Sequence, residues 1–260
     1  MSANQTTPPG PYSALAGRSA LVTGAGGGIG RAIVATMVEA GVNVVATDRE
    51  QSVLDELRTA CEGPGSLELA IADLTHKDVP AMLAQRATDA FGRLDILVNN
   101  AGCILRHPVA DTSLQDWELM MAVNVRAAFF LSQQAATIMG KYDWGRIVNL
   151  TSQAGHTGGA ADCPVYAISK GAVMTMTRSL ARAFAPMGIT VNAVAPGIVM
   201  TDMISGTLTQ GRIDELVNQI PVKRASTAQE IADAVIFLAS DRAATITGHV
   251  LDINGGMVMR

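Results

Sequence analysis

Seven short runs of almost continuously apolar residues, rich in β-branched side chains, recur along this chain, and they constrain its fold more than any other feature. They read "SALVTG", "NVVATD", "LELAIAD", "LDILVNN", "GRIVNLTS", "ITVNAVAPG" and "HVLDING". A strand with one face in water alternates apolar and polar residues. A strand that is apolar throughout has both faces covered, which is the condition of a parallel sheet with helices on each side. The intervening stretches supply the helices: "RAIVATMVEAG", "DVPAMLAQRATDAFG", "DWELMMAVNVRAAFFLSQQAATIMG", "AISKGAVMTMTRSLARAFAPMG" and "AQEIADAVIFLAS". Several of them close on Gly, a residue that ends helices by taking the left-handed conformation. The alternation predicts an α/β fold with one doubly wound domain, its central parallel sheet flanked by helices on both faces.

A chain of 260 residues is long enough for one large domain of this kind. It has no repeat and no linker after the Pro-rich start, so residues 13–260 are expected to form a single domain behind a flexible tail, residues 1–12. Residues 195–226 break the strand and helix alternation, and they follow a strand's C-terminal end, where such folds build a substrate-side lid. An apolar share of 48% with 16% charged residues excludes a disordered chain. A net charge of −4 without a basic stripe argues against a nucleic-acid partner and for a small-molecule one. Cys61, Cys103 and Cys163 are widely spaced and show no metal-type pairing, as in a reduced protein. No apolar run approaches membrane-spanning length, and the start lacks the charge and apolar stretch of a secretory signal. A cytoplasmic protein without a membrane partner is the expectation.

"LVTGAGGGIG", residues 21–30, places five glycines within seven positions directly after the first strand. A strand turning straight into a helix presents unpaired N–H groups and a positive dipole end, which together attract an anion. Glycines let a diphosphate approach that backbone closely. The next strand ends at Asp48, eighteen residues beyond Gly30, where Rossmann-type dinucleotide folds put an acid to hold a pair of ribose hydroxyls. A carboxylate there repels a 2′-phosphate, which favours NAD over NADP, although Arg49 beside it offers a cation to a phosphate.

In "YAISK" a phenol, Tyr166, and an ammonium, Lys170, are four residues apart, on one face of a helix and one turn from each other. A phenol titrates near pH 10, and a fixed cation nearby lowers that value, making it a usable acid and base. Ser152 ends the strand "GRIVNLTS" and is placed to hydrogen-bond a carbonyl or alcohol oxygen.

Together, "TGAGGGIG", "NNAG" at 99–102, Asn124 in "MAVNV", Ser152, "YAISK" and "PGIVMT" resemble, in order and along nearly the whole chain, the short-chain dehydrogenase/reductase family. The glycine pattern is that family's, carried by Thr23, Gly24, Gly28 and Gly30. The resemblance implies catalytic roles for Asn124, Ser152, Tyr166 and Lys170. Tyr166 would exchange the proton, Lys170 would lower its pKa and hold the nicotinamide ribose, Ser152 would polarise the substrate oxygen, and Asn124 would anchor a water behind Lys170. It further implies that Gly24, Gly28, Ile29 and Gly30 line the diphosphate, Asp48 the adenosine ribose, Asp73 and Leu74 the adenine, and Asn100 the neighbouring loop. Val199 and Thr201 would meet the nicotinamide carboxamide. A homotetramer is implied as well. Gly27 stands where a basic side chain often meets a 2′-phosphate, in agreement with Asp48. Ser152 and Tyr166 are fourteen positions apart where many members have thirteen.

Around the expected mouth, "CILRHP" supplies Arg106 and His107, and the segment between Ser152 and Tyr166 supplies Gln153, His156, Asp162 and Cys163. An Arg there is placed to clamp a carboxylate, and "NNAGCILRHP" resembles the corresponding stretch of the family's sugar-acid dehydrogenases. The reading is an NAD-dependent oxidoreductase acting on a small polar secondary alcohol or ketone, such as a sugar acid or polyol. The alternatives are a 3-oxoacyl-thioester reductase using NADPH, suggested by the ending "LDINGGMVM", and a non-catalytic dinucleotide sensor.

Overall fold

The computed structural model describes residues 12–201 and 209–260. Residues 1–11 of the expected tail and residues 202–208 of the expected lid lie outside the described residues.

All seven apolar runs form strands: β1 (Ser19–Thr23), β2 (Asn43–Asp48), β3 (Leu67–Ile71), β4 (Ile96–Asn99), β5 (Gly145–Leu150), β6 (Ile189–Pro196) and, last in the chain, β9 (Val250–Ile253). They make one parallel sheet in the order β3-β2-β1-β4-β5-β6-β9. Leu21 of β1 pairs with Val45 on one side and Leu97 on the other, and Ile147 of β5 lies between Leu97 and Val191. The chain leaves β1 in one direction for β2 and β3, then returns to place β4 on the opposite side. This reversal opens a crevice at the strand C-termini, the usual ligand site of such sheets.

The helices are α1 (Gly28–Glu39), α2 (Gln51–Ala60), α3 (Val79–Phe91), α4 (Leu114–Met121), α5 (Ala127–Met139), a single turn α6 (Ala154–Thr157), α7 (Pro164–Phe184), α8 (Gln210–Gln219) and α9 (Ala228–Leu238). Successive residues of a strand point to opposite faces, and the core divides accordingly. Ala20, Val22, Val44, Val98 and Val148 face a layer holding Ile33 and Met37 of α1 and Ile231 and Val235 of α9. Leu21, Val45, Leu97, Ile147 and Val191 face Leu83 of α3, Leu131 of α5 and Val173 and Leu180 of α7. Burying a side chain of this size contributes about 1.5–3 kcal/mol, so the two layers hold the sheet from both sides.

Three features depart from the sequence expectation. The stretch from Leu114 to Met139 is not one helix: a π-helical turn, Ala122–Arg126, joins α4 to α5. Helix α2 buries only Leu54 and Leu57, too few apolar positions to announce it. Residues 195–226 also contain regular structure, namely α8 and two two-residue strands, β7 (Val199–Met200) and β8 (Ser226–Thr227), paired in parallel. Among the described residues no helix is long and apolar enough to cross a membrane.

Candidate active site

The glycine turn and the loop after β4 are built against each other at the crevice. Thr23 Oγ1 accepts from the Asn100 and Ala101 amides, both at 3.1 Å, while the Asn100 side chain donates to the Thr23 and Gly24 carbonyls at 3.0 and 2.9 Å. Gly24 has φ +62°, and a Cβ there would lie 2.8 Å from Ala101 Cα, so both its conformation and its surroundings require glycine. Gly27 caps α1 without a side-chain hydrogen bond, and a Cβ on it would meet nothing closer than 3.8 Å. This bare, twelve-residue helix start suits a diphosphate, whose negative charge the N–H groups and dipole favour. The Thr201 side chain lies over Gly28, where an added Cβ would approach its Cγ2 to 2.9 Å. Residues assigned to the diphosphate and to the nicotinamide are thus adjacent. Val199 beneath them is buried, and Ile29 packs partly against the α1 core.

Asp48, at the end of β2, accepts from the Gly26 amide at 3.0 Å on one oxygen and from the Arg49 amide at 2.8 Å on the other. Its carboxylate is held at the glycine turn and remains partly exposed. A Cβ on Gly26 would collide with Val53, so the turn packs directly on α2. Asp73 is exposed beyond β3 and accepts from the Thr75 amide and hydroxyl at 2.8 and 2.7 Å; these bonds hold its carboxyl below the usual range. Leu74 beside it packs partly into the core.

The catalytic candidates converge beyond β5 and along α7. Ser152 neighbours the Tyr166 phenol and favours its phenolate. One turn on, Lys170 is buried, its Nζ 5.7 Å from the Tyr166 ring centre and donating to the Leu150 carbonyl at 2.9 Å. Gly102 leaves the approach to Lys170 open, since a Cβ there would lie 3.2 Å from Nζ and 3.5 Å from Asn124 Oδ1.

Burial raises the Tyr166 pKa, with Ser152 and Arg106 pulling the other way. Burial also brings Lys170 down, to about 8. A low-dielectric setting disfavours the charged form of each group. The Asn124 side chain is held by three hydrogen bonds. Its Nδ2 donates to the Cys103 carbonyl and Ser169 Oγ, both at 2.9 Å, and its Oδ1 accepts from the Cys103 amide at 2.8 Å. Both N–H donors are spent, so the side chain ties the π turn to α7 and to the loop after "NNAG". Ser169, the second partner, escaped notice in the sequence, although it lies within "YAISK", three residues after Tyr166.

Between Ser152 and Tyr166 the chain makes α6 and a turn in which Gly158 and Gly159 take φ +84° and +74°, and the longer spacing is accommodated there. His156 turns to the last strand, its Nε2 3.2 Å from Asp252 Oδ1. His107 lies 3.8 Å from Asp116, and the buried Cys163 thiol donates to the Ala160 carbonyl at 3.4 Å. Of the mouth residues, Arg106 exerts its positive charge on Tyr166, in the sense that favours the phenolate, and it pairs with Asp162 at 3.2 Å.

Behind the site, Asn99 donates to Asn149 at 2.8 Å and to Ser132 at 3.1 Å, and Asn149 donates to Thr177 at 2.9 Å. This buried chain links β4, β5, α5 and α7, and it fixes the strand ends from which the site residues emerge.

A family model described as enoyl-(acyl carrier protein) reductase matches residues 24–258. The chain is 34% identical over 246 residues to the 3-oxoacyl-(acyl-carrier-protein) reductase FabG of Thermotoga maritima, covering 94% of this chain and 99% of that one. It is 36% identical over 247 residues to the FabG of Staphylococcus epidermidis, covering 93% and 99%. Among solved structures, a Sinorhizobium meliloti protein described as a short-chain alcohol dehydrogenase superposes with a TM-score of 0.90 at 35% identity, covering 95% and 98%. A Beutenbergia cavernae protein described as an NAD(P)-dependent gluconate 5-dehydrogenase, with bound NADP, gives 0.85 at 40% identity, covering 95% and 99%.

Proposed function

The chain belongs to the short-chain dehydrogenase/reductase family, oxidoreductases that act on CH–OH and keto groups with a nicotinamide dinucleotide, and we propose that it interconverts a small hydroxy acid or sugar acid with its ketone, using NAD. The observation that carries this reading is Tyr166 with Lys170 one turn along α7, its Nζ 5.7 Å from the ring centre, and with Arg106 paired to Asp162 on the loops that lead to them.

When bound, the dinucleotide supplies or takes up the hydride. The chain's own groups do the rest. Its bare α1 start receives the diphosphate, and Asp48 accepts from the adenosine ribose hydroxyls, with Asn100 holding the glycine turn in shape. Asp73 and Leu74 border the adenine, while Val199 and Thr201 border the nicotinamide. Ser152 donates to the substrate oxygen and orients it toward Tyr166. With its pKa raised, the phenol is protonated at neutral pH, so Tyr166 holds the proton that a ketone oxygen would take up on reduction. In the reverse direction the phenolate takes the hydroxyl proton, and Lys170, where protonated, stabilises that phenolate. Asn124 keeps Lys170 and the Cys103 loop in register. Arg106 meets the substrate's carboxylate.

Tyr166→Phe removes the exchangeable proton and keeps the ring. It is expected to bind NADH as the unchanged chain does, read by nicotinamide fluorescence, and to lose turnover by orders of magnitude. Retained turnover overturns the assignment of Tyr166. A second reading, a 3-oxoacyl-thioester reductase using NADPH, has the FabG relatives in its favour. Against it stand Asp48 at the ribose position and Gly27 in place of a phosphate-binding cation. A homotetramer and a cytoplasmic setting belong to the same proposal, by family likeness.

A further inference from the structure

Arg106 and Asp162 come from loops 56 residues apart in the chain, one between β4 and α4, the other between α6 and α7. Arg106 Nη1 donates to both Asp162 oxygens at 3.2 Å. Its Nη2 and Nε make no hydrogen bond among the described residues, so one edge of the guanidinium stays open. The side chains are 53% and 49% exposed, which makes the pair water-accessible and exchangeable: such bridges contribute about 0–1 kcal/mol. Arg106 lies four residues after "NNAG" and Asp162 four before Tyr166, so the bridge joins the two loops that lead to the catalytic candidates.

We propose that Asp162 is a specificity-determining residue: it occupies Arg106 across the mouth as an internal stand-in for the substrate's carboxylate, and the substrate must displace it. Two carboxylates beside one guanidinium repel each other, so a carboxylate ligand gains Arg106 only by displacing Asp162, while a neutral hydroxyl meets no such repulsion. Asp162 therefore weakens an anion's binding and holds down the preference for a carboxylate over a hydroxyl. Cys163 and Pro164 link it to the start of α7, so its release also frees the loop that leads into Tyr166.

This inference rests on the hydroxy-acid reading, and one set of measurements separates the two. D-gluconate and D-glucitol, which differ in the carboxylate, are compared as substrates with NAD and as competitive inhibitors. For Asp162→Asn the gluconate KM is expected to fall about three- to tenfold, with the gluconate-to-glucitol ratio of kcat/KM rising by a similar factor. Asp162→Glu restores both. For Arg106→Gln the ratio falls more than tenfold, and adding Asp162→Asn to that variant changes it no further. If Asp162→Asn leaves the ratio unchanged, or raises both KM values together, while Arg106→Gln still abolishes the preference, Asp162 is a loop support and the inference is wrong. If Arg106→Gln does not touch the ratio, or gluconate neither reacts nor inhibits, the hydroxy-acid reading itself falls.

Discussion

A Cβ placed on Gly30 would fall on the Gly24 carbonyl oxygen and come within 2.8 Å of Asn100 Nδ2, the two groups that hold the glycine turn against the loop after β4. Three positions earlier, Gly27 faces open space. The same letter therefore has two physical meanings: close backbone packing at Gly30, and clearance for a ligand at Gly27. Gly30→Ala is expected to destabilise the chain by about 1–3 kcal/mol, as overpacking does, and to weaken dinucleotide binding at least tenfold; Gly27→Ala should leave the melting temperature within a degree or so. Thermal unfolding and fluorescence titration with NADH check the pair, and equal behaviour of the two variants would refute the distinction. Glycine spacing alone reveals the motif but not this division of labour. The same holds at Tyr166 and Lys170, where spacing shows that phenol and ammonium share a helix face. It does not show how far burial disfavours the charged form of each, because the depth of α7 in the fold is set by residues far away in the chain.

Between residue and molecule, the π turn at Ala122–Arg126 is the element that the periodicity of "DWELMMAVNVRAAFFLSQQAATIMG" conceals. A helix with one residue too many in a turn keeps nearly the same apolar pattern, so an uninterrupted helix is the natural reading. The turn carries the side chain of Asn124, which satisfies the backbone N–H and C=O of Cys103 and the hydroxyl of Ser169. π turns of this kind occur frequently at functional sites. Asn124→Ala strands those three buried or half-buried groups, and leaving such groups unsatisfied costs about 1–3 kcal/mol each where water cannot replace the lost bond. Urea unfolding is expected to show a loss of about 2–4 kcal/mol, with kcat falling far more than NADH affinity, since the cofactor cradle at β1 and β2 is untouched. A variant with unchanged kcat would detach the turn from the chemistry. By contrast, all seven sheet strands were legible: the five inner ones are buried and so almost continuously apolar, and the edge strands β3 and β9, though only partly buried, keep most of that pattern. Helix α2 was not, since it buries only two leucines, and neither was the Arg106–Asp162 bridge, which joins loops that no local pattern connects.

At the scale of the whole molecule, the crevice sits where the sheet reverses direction, with β1, β2 and β3 on one side and β4, β5, β6 and β9 on the other. A dinucleotide laid across it would contact Asp48 from one half and Tyr166 and Lys170 from the other, so its binding is coupled to unfolding of the entire domain. Ligand at about one hundred times its Kd adds about 2.7 kcal/mol, and for a chain of this size each kcal/mol raises the melting temperature by about 2–4 °C. NADH at saturation is therefore expected to raise it by about 5–10 °C. At equal sub-saturating concentration NADPH should raise it less, because the 2′-phosphate would approach the Asp48 carboxylate, which the Gly26 and Arg49 amides hold at the glycine turn. Replacing Asp48 with Ala and Gly27 with Arg removes the repulsion and adds a cation where there is clearance for one, and this double variant should invert the order of the two shifts. A larger shift with NADPH in the unchanged chain would mean that Arg49, the exposed cation next to Asp48, wins the contest for the phosphate. The acyl-thioester reading carried by the FabG relatives would then take precedence over the hydroxy-acid one.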